Sequence, residues 1–165
     1  MGASRARPHG RLLAGEVGAL AGVSGTTIGQ WARRGYIRAS RSTRDPHVYS
    51  LEDVAEAWVV HALLERGVGH AAVRQTIAAL GEDSRWPLLG VPLATTDGAA
   101  PRVVLCSSEG VFALSDRGWQ RLAVQPPIQA LRPPGAIGIL LPGAGGDVAT
   151  NGRRSSSTGA SEPDR

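Results

Sequence analysis

The sequence predicts an α+β protein in which four short helices are followed by a small β-rich domain and a tail. Two patterns carry this prediction. Apolar residues recur at helical spacing between residues 13 and 80, whereas short β-branched runs alternate with turn residues after residue 101. The chain has 165 residues, of which 22 are Gly and 11 are Pro, so it suits one domain or two small ones with long loops. We divide it into an arm (1–11), a helical domain (12–81), a β-rich domain (82–134) and a disordered tail (135–165).

The first two helices are joined by a tight turn. Leu13, Val17 and Leu20 fall at helical spacing, and Gly22 supplies the left-handed conformation that a tight turn needs. Ser24 is a favoured N-cap for a second helix over residues 25–34, which Gly35 then ends. The proportions are those of a helix-turn-helix.

The second helix carries a polar side. Its hydrogen-bonding residues are Thr26, Thr27, Gln30, Arg33 and Arg34. A helix of this kind fits the major groove of DNA, where its N-terminal residues meet base edges. The alternative is an ordinary helical hairpin within a bundle, but the helices are short and lack a second apolar side, which favours a recognition helix.

A wing and two more helices are predicted next. Two short strands, at residues 36–38 and 46–49, flank a polar turn, so that Arg38, Arg41 and Arg44 would reach phosphates or the minor groove. Ser50 and Asp53 have capping-box spacing at the start of a third helix. That helix continues to Gly67, and a fourth covers about residues 70–80, with Trp31 and Trp58 expected in the core.

Charge is distributed unevenly along the chain. Residues 1–50 hold eight arginines against Glu16 and Asp45, whereas residues 51–100 hold three arginines against seven acids. A basic first segment followed by an acidic one is typical of a headpiece that faces a polyanion. A chance cluster of arginines on a solvated face is the alternative.

These motifs together resemble the DNA-binding headpiece of the MerR family of bacterial transcription regulators. The stretches that carry the resemblance are EVGALAGVS (16–24), WARRGYI (31–37), VYSLEDV (48–54) and LLERGV (63–68). The resemblance implies a winged helix-turn-helix over about residues 13–80 that binds double-stranded operator DNA. It places Thr26, Thr27, Gln30 and Arg33 at recognition-helix contact positions, Arg41 and Arg44 on the wing, and Tyr49 beside the wing. The predicted DNA-binding set is Ser24, Thr26, Thr27, Gln30, Arg33, Arg34, Arg38, Arg41, Arg44 and Tyr49.

The chain departs from the family after the headpiece. Members of the family carry a long dimerisation helix there, but three glycines and three prolines in residues 81–101 exclude a long helix. Instead, strands are predicted at residues 102–106 and 111–114, with a preceding one over 88–93. A third strand or short helix is predicted at Trp119, Leu122 and Val124. A sheet of three or four strands needs a partner surface, which is the headpiece, a second copy or another protein.

Several other classes of function find no support in the sequence. The four histidines have no metal-ligand spacing, Cys106 stands alone, and the glycine-rich stretches lack the lysine of a phosphate loop. We therefore expect no enzyme activity, no cofactor and no metal. The apolar run at residues 136–141 is too short to span a bilayer, so no membrane partner is expected.

The sequence thus predicts a cytoplasmic, nucleoid-associated regulator that binds specific DNA sequences as a homodimer or in a cooperative array. Two alternatives stay open. One is an antitoxin whose C-terminal half binds a toxin, and the other is an excisionase-like architectural factor that bends DNA.

Overall fold

The computed structural model describes residues 11–38, 47–81 and 86–131. Four helices come first: α1 (Ala14–Ala21), α2 (Gly25–Arg33), α3 (Leu51–Glu65) and α4 (His70–Leu80). Five strands follow: β1 (Leu93–Thr96), β2 (Val103–Ser107), β3 (Gly110–Ser115), β4 (Gly118–Arg121) and β5 (Ile128–Ala130). The predicted α+β class, with helices before strands, is confirmed. Residues 1–10 of the predicted arm (1–11) and the whole of the predicted tail (135–165) lie outside the described residues.

The helix ends are fixed by the predicted capping residues. The Ser24 hydroxyl accepts the amide hydrogen of Thr27 at 3.1 Å at the start of α2. The Ser50 hydroxyl accepts from the Asp53 amide at 3.2 Å, while the Asp53 carboxylate accepts from the Ser50 amide at 2.7 Å. Each bond satisfies a backbone group that the first turn of a helix leaves without a partner. Gly22 has φ 82° and ends α1 in the left-handed region, as predicted.

Close backbone contact holds α1 against α2. A Cβ atom on Gly18 would lie 2.5 Å from the carbonyl oxygen of Val23, and one on Gly25 would lie 3.0 Å from the backbone of Gly15. Any side chain at residue 18 would therefore force the turn away from α1. The glycines set the close packing of the helix-turn-helix.

One apolar core spans the helices and one face of the sheet. From the helices it includes Val17, Ile28, Trp31 and Leu63, and from the sheet Leu93 and Val103. Trp58 packs against this core while partly exposed. The order of packing is α2 on α1, α1 on α3, α3 on α4, and α4 on β2. The sheet and α2 therefore lie at opposite ends of this series.

The sheet is antiparallel, with strand order β4-β3-β2-β1-β5. Leu105 lies opposite Phe112 in the β2–β3 pair, and Leu114 lies opposite Trp119 in the β3–β4 pair. Because side chains alternate between the faces, Leu105, Phe112, Leu114 and Trp119 share one face. That face is the one that packs on the helices, because Leu105 contacts the helical core.

The strand predictions need correction at several places. Residues 36–38 form a bend rather than a strand, and Tyr49 pairs with Leu12 in an isolated bridge. Leu12, just before α1, therefore provides the partner that we expected from residues 36–38, while residues 39–46 lie outside the described residues. Residues 87–89 form a turn, and the first strand begins at Leu93. The region around Trp119 is strand β4, and the sheet gains a fifth strand, β5, that was not predicted.

Polar contacts join the sheet to α3. The indole nitrogen of Trp86 donates to the Asp53 carboxylate at 3.1 Å, and the Leu88 amide donates to the Glu56 carboxylate at 3.2 Å. At the other end of α3, the Arg66 guanidinium donates to the carbonyl oxygens of Gln129 (2.7 Å) and Ala130 (2.8 Å). These bonds attach two parts of the chain to α3: the segment that leads into the sheet, and strand β5.

Candidate nucleic-acid interface

Helix α2 separates its apolar and polar residues cleanly. Ile28 and Trp31 are buried, with 0% and 4% of their surfaces exposed. Thr26, Gln30 and Arg33 are exposed on the other side of the helix. The polar side that we predicted for DNA contact is therefore open to solvent and is not covered by the sheet.

The first turn of α2 combines a cap with a polar surface. The Ser24 hydroxyl, exposed at this turn, lies 2.8 Å from the Thr27 hydroxyl. Thr27 is partly buried, whereas Thr26 beside it is exposed. Ser24 and Thr27 thus hold each other at the helix N-terminus, where the orphan amides and the helix dipole favour a phosphate oxygen.

Three arginines continue this surface beyond the middle of α2. Arg33 and Arg34 are exposed at its end, and Arg38 is exposed after the bend that follows. Between them, Tyr36 is buried and its hydroxyl lies 3.2 Å from Nδ1 of His70, while the two rings stack with centroids 5.8 Å apart. This contact ties the bend to α4. The backbone that presents Arg38 is therefore fixed by the core.

Tyr49 does not belong to the surface. Its side chain is completely buried among the helical core residues, because the bridge to Leu12 turns it inwards. We correct its predicted role: Tyr49 supports the fold from inside, and its side chain does not face a duplex. The predicted wing residues Arg41 and Arg44 lie outside the described residues.

A buried carboxylate on α3 was missed by the sequence analysis. Glu56 is 1% exposed, and burial raises its pKa to about 8. The amide of Leu88 and the positive charge of Arg38 act in the opposite direction, while Asp53 raises the pKa further. In the sequence Glu56 resembles any solvated helix position, and only the tertiary fold brings Leu88 over it.

The described residues contain no group of three or more His, Cys, Asp or Glu side chains arranged to hold a metal ion. Among the helices of residues 11–38, 47–81 and 86–131, none has both the length and the hydropathy required to cross a membrane.

Helices α1 and α2 form a helix-turn-helix in which the polar side of α2 is exposed. Residues 14–80 match the family model described as MerR HTH family regulatory protein. The resemblance drawn from the sequence motifs is therefore confirmed for this part of the chain, and it supports a DNA-binding regulator of the MerR type. No curated protein and no solved structure matches the chain.

Proposed function

We propose that this protein is a sequence-specific transcription regulator that places α2 in the major groove of DNA. The observation that carries the proposal is the exposed polar side of α2, with Thr26 near its start, Gln30 beyond its middle and Arg33 at its end. Amide and hydroxyl groups in these positions are suited to base edges, and guanidinium groups to guanine or to phosphates.

The roles divide by chemistry. Thr26 and Gln30 contact base edges, Ser24 and Thr27 receive a phosphate at the helix N-terminus, and the arginines neutralise the backbone. Arg34 and Arg38, and on the predicted wing Arg41 and Arg44, belong to this second group. A single headpiece covers few base pairs, so useful affinity requires two half-sites bound by a homodimer or a cooperative array.

Selection from a random duplex library tests the proposal. The full chain should enrich a short motif, repeated where the protein binds as a dimer. Affinity for that motif should fall with salt, with a log–log slope of roughly −0.9 for each phosphate contacted. Binding without preference for any sequence would refute base readout and leave only non-specific attraction to DNA.

The two other predicted functions make different demands on the same protein. An antitoxin should co-purify with a stoichiometric toxin bound to its C-terminal half. An excisionase-like factor should bend its site, which a circular-permutation assay detects. No feature of the described residues favours either over the regulator.

A further inference from the structure

Strand β4 is an edge strand whose outer side has no partner among the described residues. Leu122 donates to the carbonyl oxygen of Val111, which sets the alternation of hydrogen bonds along the β3–β4 pair. By that alternation, Gln120 bonds inwards to β3, and the backbone N–H and C=O groups of Trp119 and Arg121 point outwards. An edge of this kind is a template for pairing with another strand.

The opposite edge of the sheet is protected. Strand β5 has only three residues, and Arg66 covers the carbonyl oxygen of Ala130 at 2.8 Å. A short edge strand with its carbonyl groups already bonded offers little backbone to an added strand. The two edges therefore differ in one respect: Arg66 covers the outward carbonyl of Ala130 on β5, whereas no hydrogen-bond partner is recorded for the outward backbone groups of Trp119 and Arg121 on β4 among the described residues.

The apolar side chains on β4 and on the neighbouring strand β3 are also incompletely packed. Phe112, Leu114 and Trp119 are only partly buried, and none of them belongs to either apolar core. The indole N–H of Trp119 is buried yet has no hydrogen-bond partner in the part of the chain that the structure describes. A buried donor without a partner is unusual in a folded protein.

We propose that β4 pairs antiparallel with β4 of a second copy, about a two-fold axis at Gln120, and that this pairing is the dimer interface. The proposal deepens the proposed function, because it names the surface that joins two headpieces. The charged side chains select the register in which the two β4 strands pair. Centring on Gln120 sets Trp119 opposite Arg121 of the second copy, where a guanidinium can lie against the indole ring. Centring on Trp119 sets Arg117 opposite Arg121, which places like charges together.

The pairing also orients the headpieces for one duplex. The two-fold axis of such a strand pair is perpendicular to the sheet, so both helical layers lie on the same face of a continuous ten-stranded sheet. In each copy α2 lies at the end of the packing series away from the sheet. Both recognition helices therefore face the same side.

The spacing agrees with two half-sites on DNA. Neighbouring strands lie about 4.8 Å apart, so the boundary between β1 and β2 lies about 14 Å from the axis. The helical core rests on Leu93 of β1 and Val103 of β2, so the headpiece lies above this boundary. On a flat sheet the two boundaries are then about 29 Å apart, which is of the same order as the roughly 34 Å between half-sites one helical turn apart.

Disulfide trapping tests the interface directly. The Cys106→Ala background removes the single cysteine. In this background, Gln120→Cys places two thiols opposite each other across the axis, at a non-hydrogen-bonded pair of residues whose Cβ atoms lie about 4.5–5.5 Å apart. Mild oxidation of the full chain without DNA should give a covalent dimer. The matched control is Gln129→Cys, the same exchange at the corresponding inward-bonded position of β5, which should stay monomeric.

A proline substitution provides a second readout. Arg121→Pro removes an outward N–H group but no bond to β3, so the chain should keep its circular dichroism spectrum and lose the dimer in sedimentation equilibrium. The proposal is overturned if Gln120→Cys gives no covalent dimer, if Gln129→Cys cross-links as well as Gln120→Cys, or if Arg121→Pro leaves the dimer intact. Because trapping needs no DNA, these results are independent of whether α2 binds a duplex.

Discussion

Helices α2 and α3 belong to the same headpiece, yet they place their polar residues in opposite environments. Helix α2 keeps Thr26, Gln30 and Arg33 in solvent and buries only apolar side chains. Helix α3 buries Asp53 and Glu56, each 1% exposed, and uses them to hold the segment that enters the sheet. The contrast separates two tasks: α2 offers hydrogen-bonding groups to an outside partner, and α3 uses such groups to fix the sheet to the headpiece.

The largest expected effect concerns the buried carboxylate on α3. The pKa of Glu56 is raised from 4.5 to about 8, so the fold favours the neutral acid. Its stabilising contribution is therefore complete below pH 4.5 and is lost as pH rises to about 8. The free energy of unfolding should fall by up to about 1.4 kcal/mol per pH unit across this window from this one group. Urea unfolding at a series of pH values measures the slope.

Glu56→Gln sharpens that test. The amide oxygen can still accept from the Leu88 amide, but the side chain no longer titrates, so this component of the slope should disappear. Glu52→Gln, on the same helix and only partly buried, is the control and should keep the wild-type slope. An equal slope in wild type and Glu56→Gln would show that the buried acid does not govern the pH dependence.

The second effect concerns the packing of α1 on α2. Gly18→Ala should lower the free energy of unfolding by about 1–3 kcal/mol, because the new methyl group meets the backbone of Val23. Gly15→Ala introduces the same methyl group on the same helix into open space. It should stabilise by about 0.5–1 kcal/mol, since alanine is the better helix former. Thermal unfolding of both variants shows whether the close approach of the Val23 backbone requires glycine at residue 18.

The third effect separates base readout from phosphate contact on the α2 surface. Gln30→Ala should change preference at one base pair by about 1–3 kcal/mol and leave stability within about 0.5 kcal/mol. Arg38→Ala should weaken binding to all sequences alike and make the salt slope shallower by roughly 0.9. Fluorescence anisotropy with single-base variants of the selected site measures both. Identical effects of the two substitutions would contradict the assigned roles.

The smallest effect is at the N-cap of α2. Ser24→Ala removes the bond to the Thr27 amide and should cost about 1 kcal/mol of stability. Ser24→Gly should cost only a few tenths. If both substitutions weaken DNA binding more than they weaken the fold, Ser24 also contributes to the phosphate site at the helix start.

The headpiece was largely predictable from sequence because its signals are local. Ser24, Ser50 and Gly22 act on the backbone within a few residues, and each does what its chemistry predicts. Tyr49 was misplaced because its orientation depends on the bridge to Leu12, 37 positions earlier in the chain. The burial of Glu56 depends on Leu88, 32 positions later, and strand β5 depends on pairing with β1 and on Arg66. Interactions at this separation leave no periodic signal in the sequence.

The central claim is that the exposed side of α2 recognises DNA sequence, and one measurement tests it most directly. The full chain and its Thr26→Ala/Gln30→Ala variant are titrated at one salt concentration with the selected duplex and with a scrambled duplex. Wild type should prefer the selected duplex by about 10³-fold or more, and the variant should lose most of that preference while it binds the scrambled duplex as before. Equal affinity of wild type for both duplexes, or an unchanged preference in the variant, would contradict the claim.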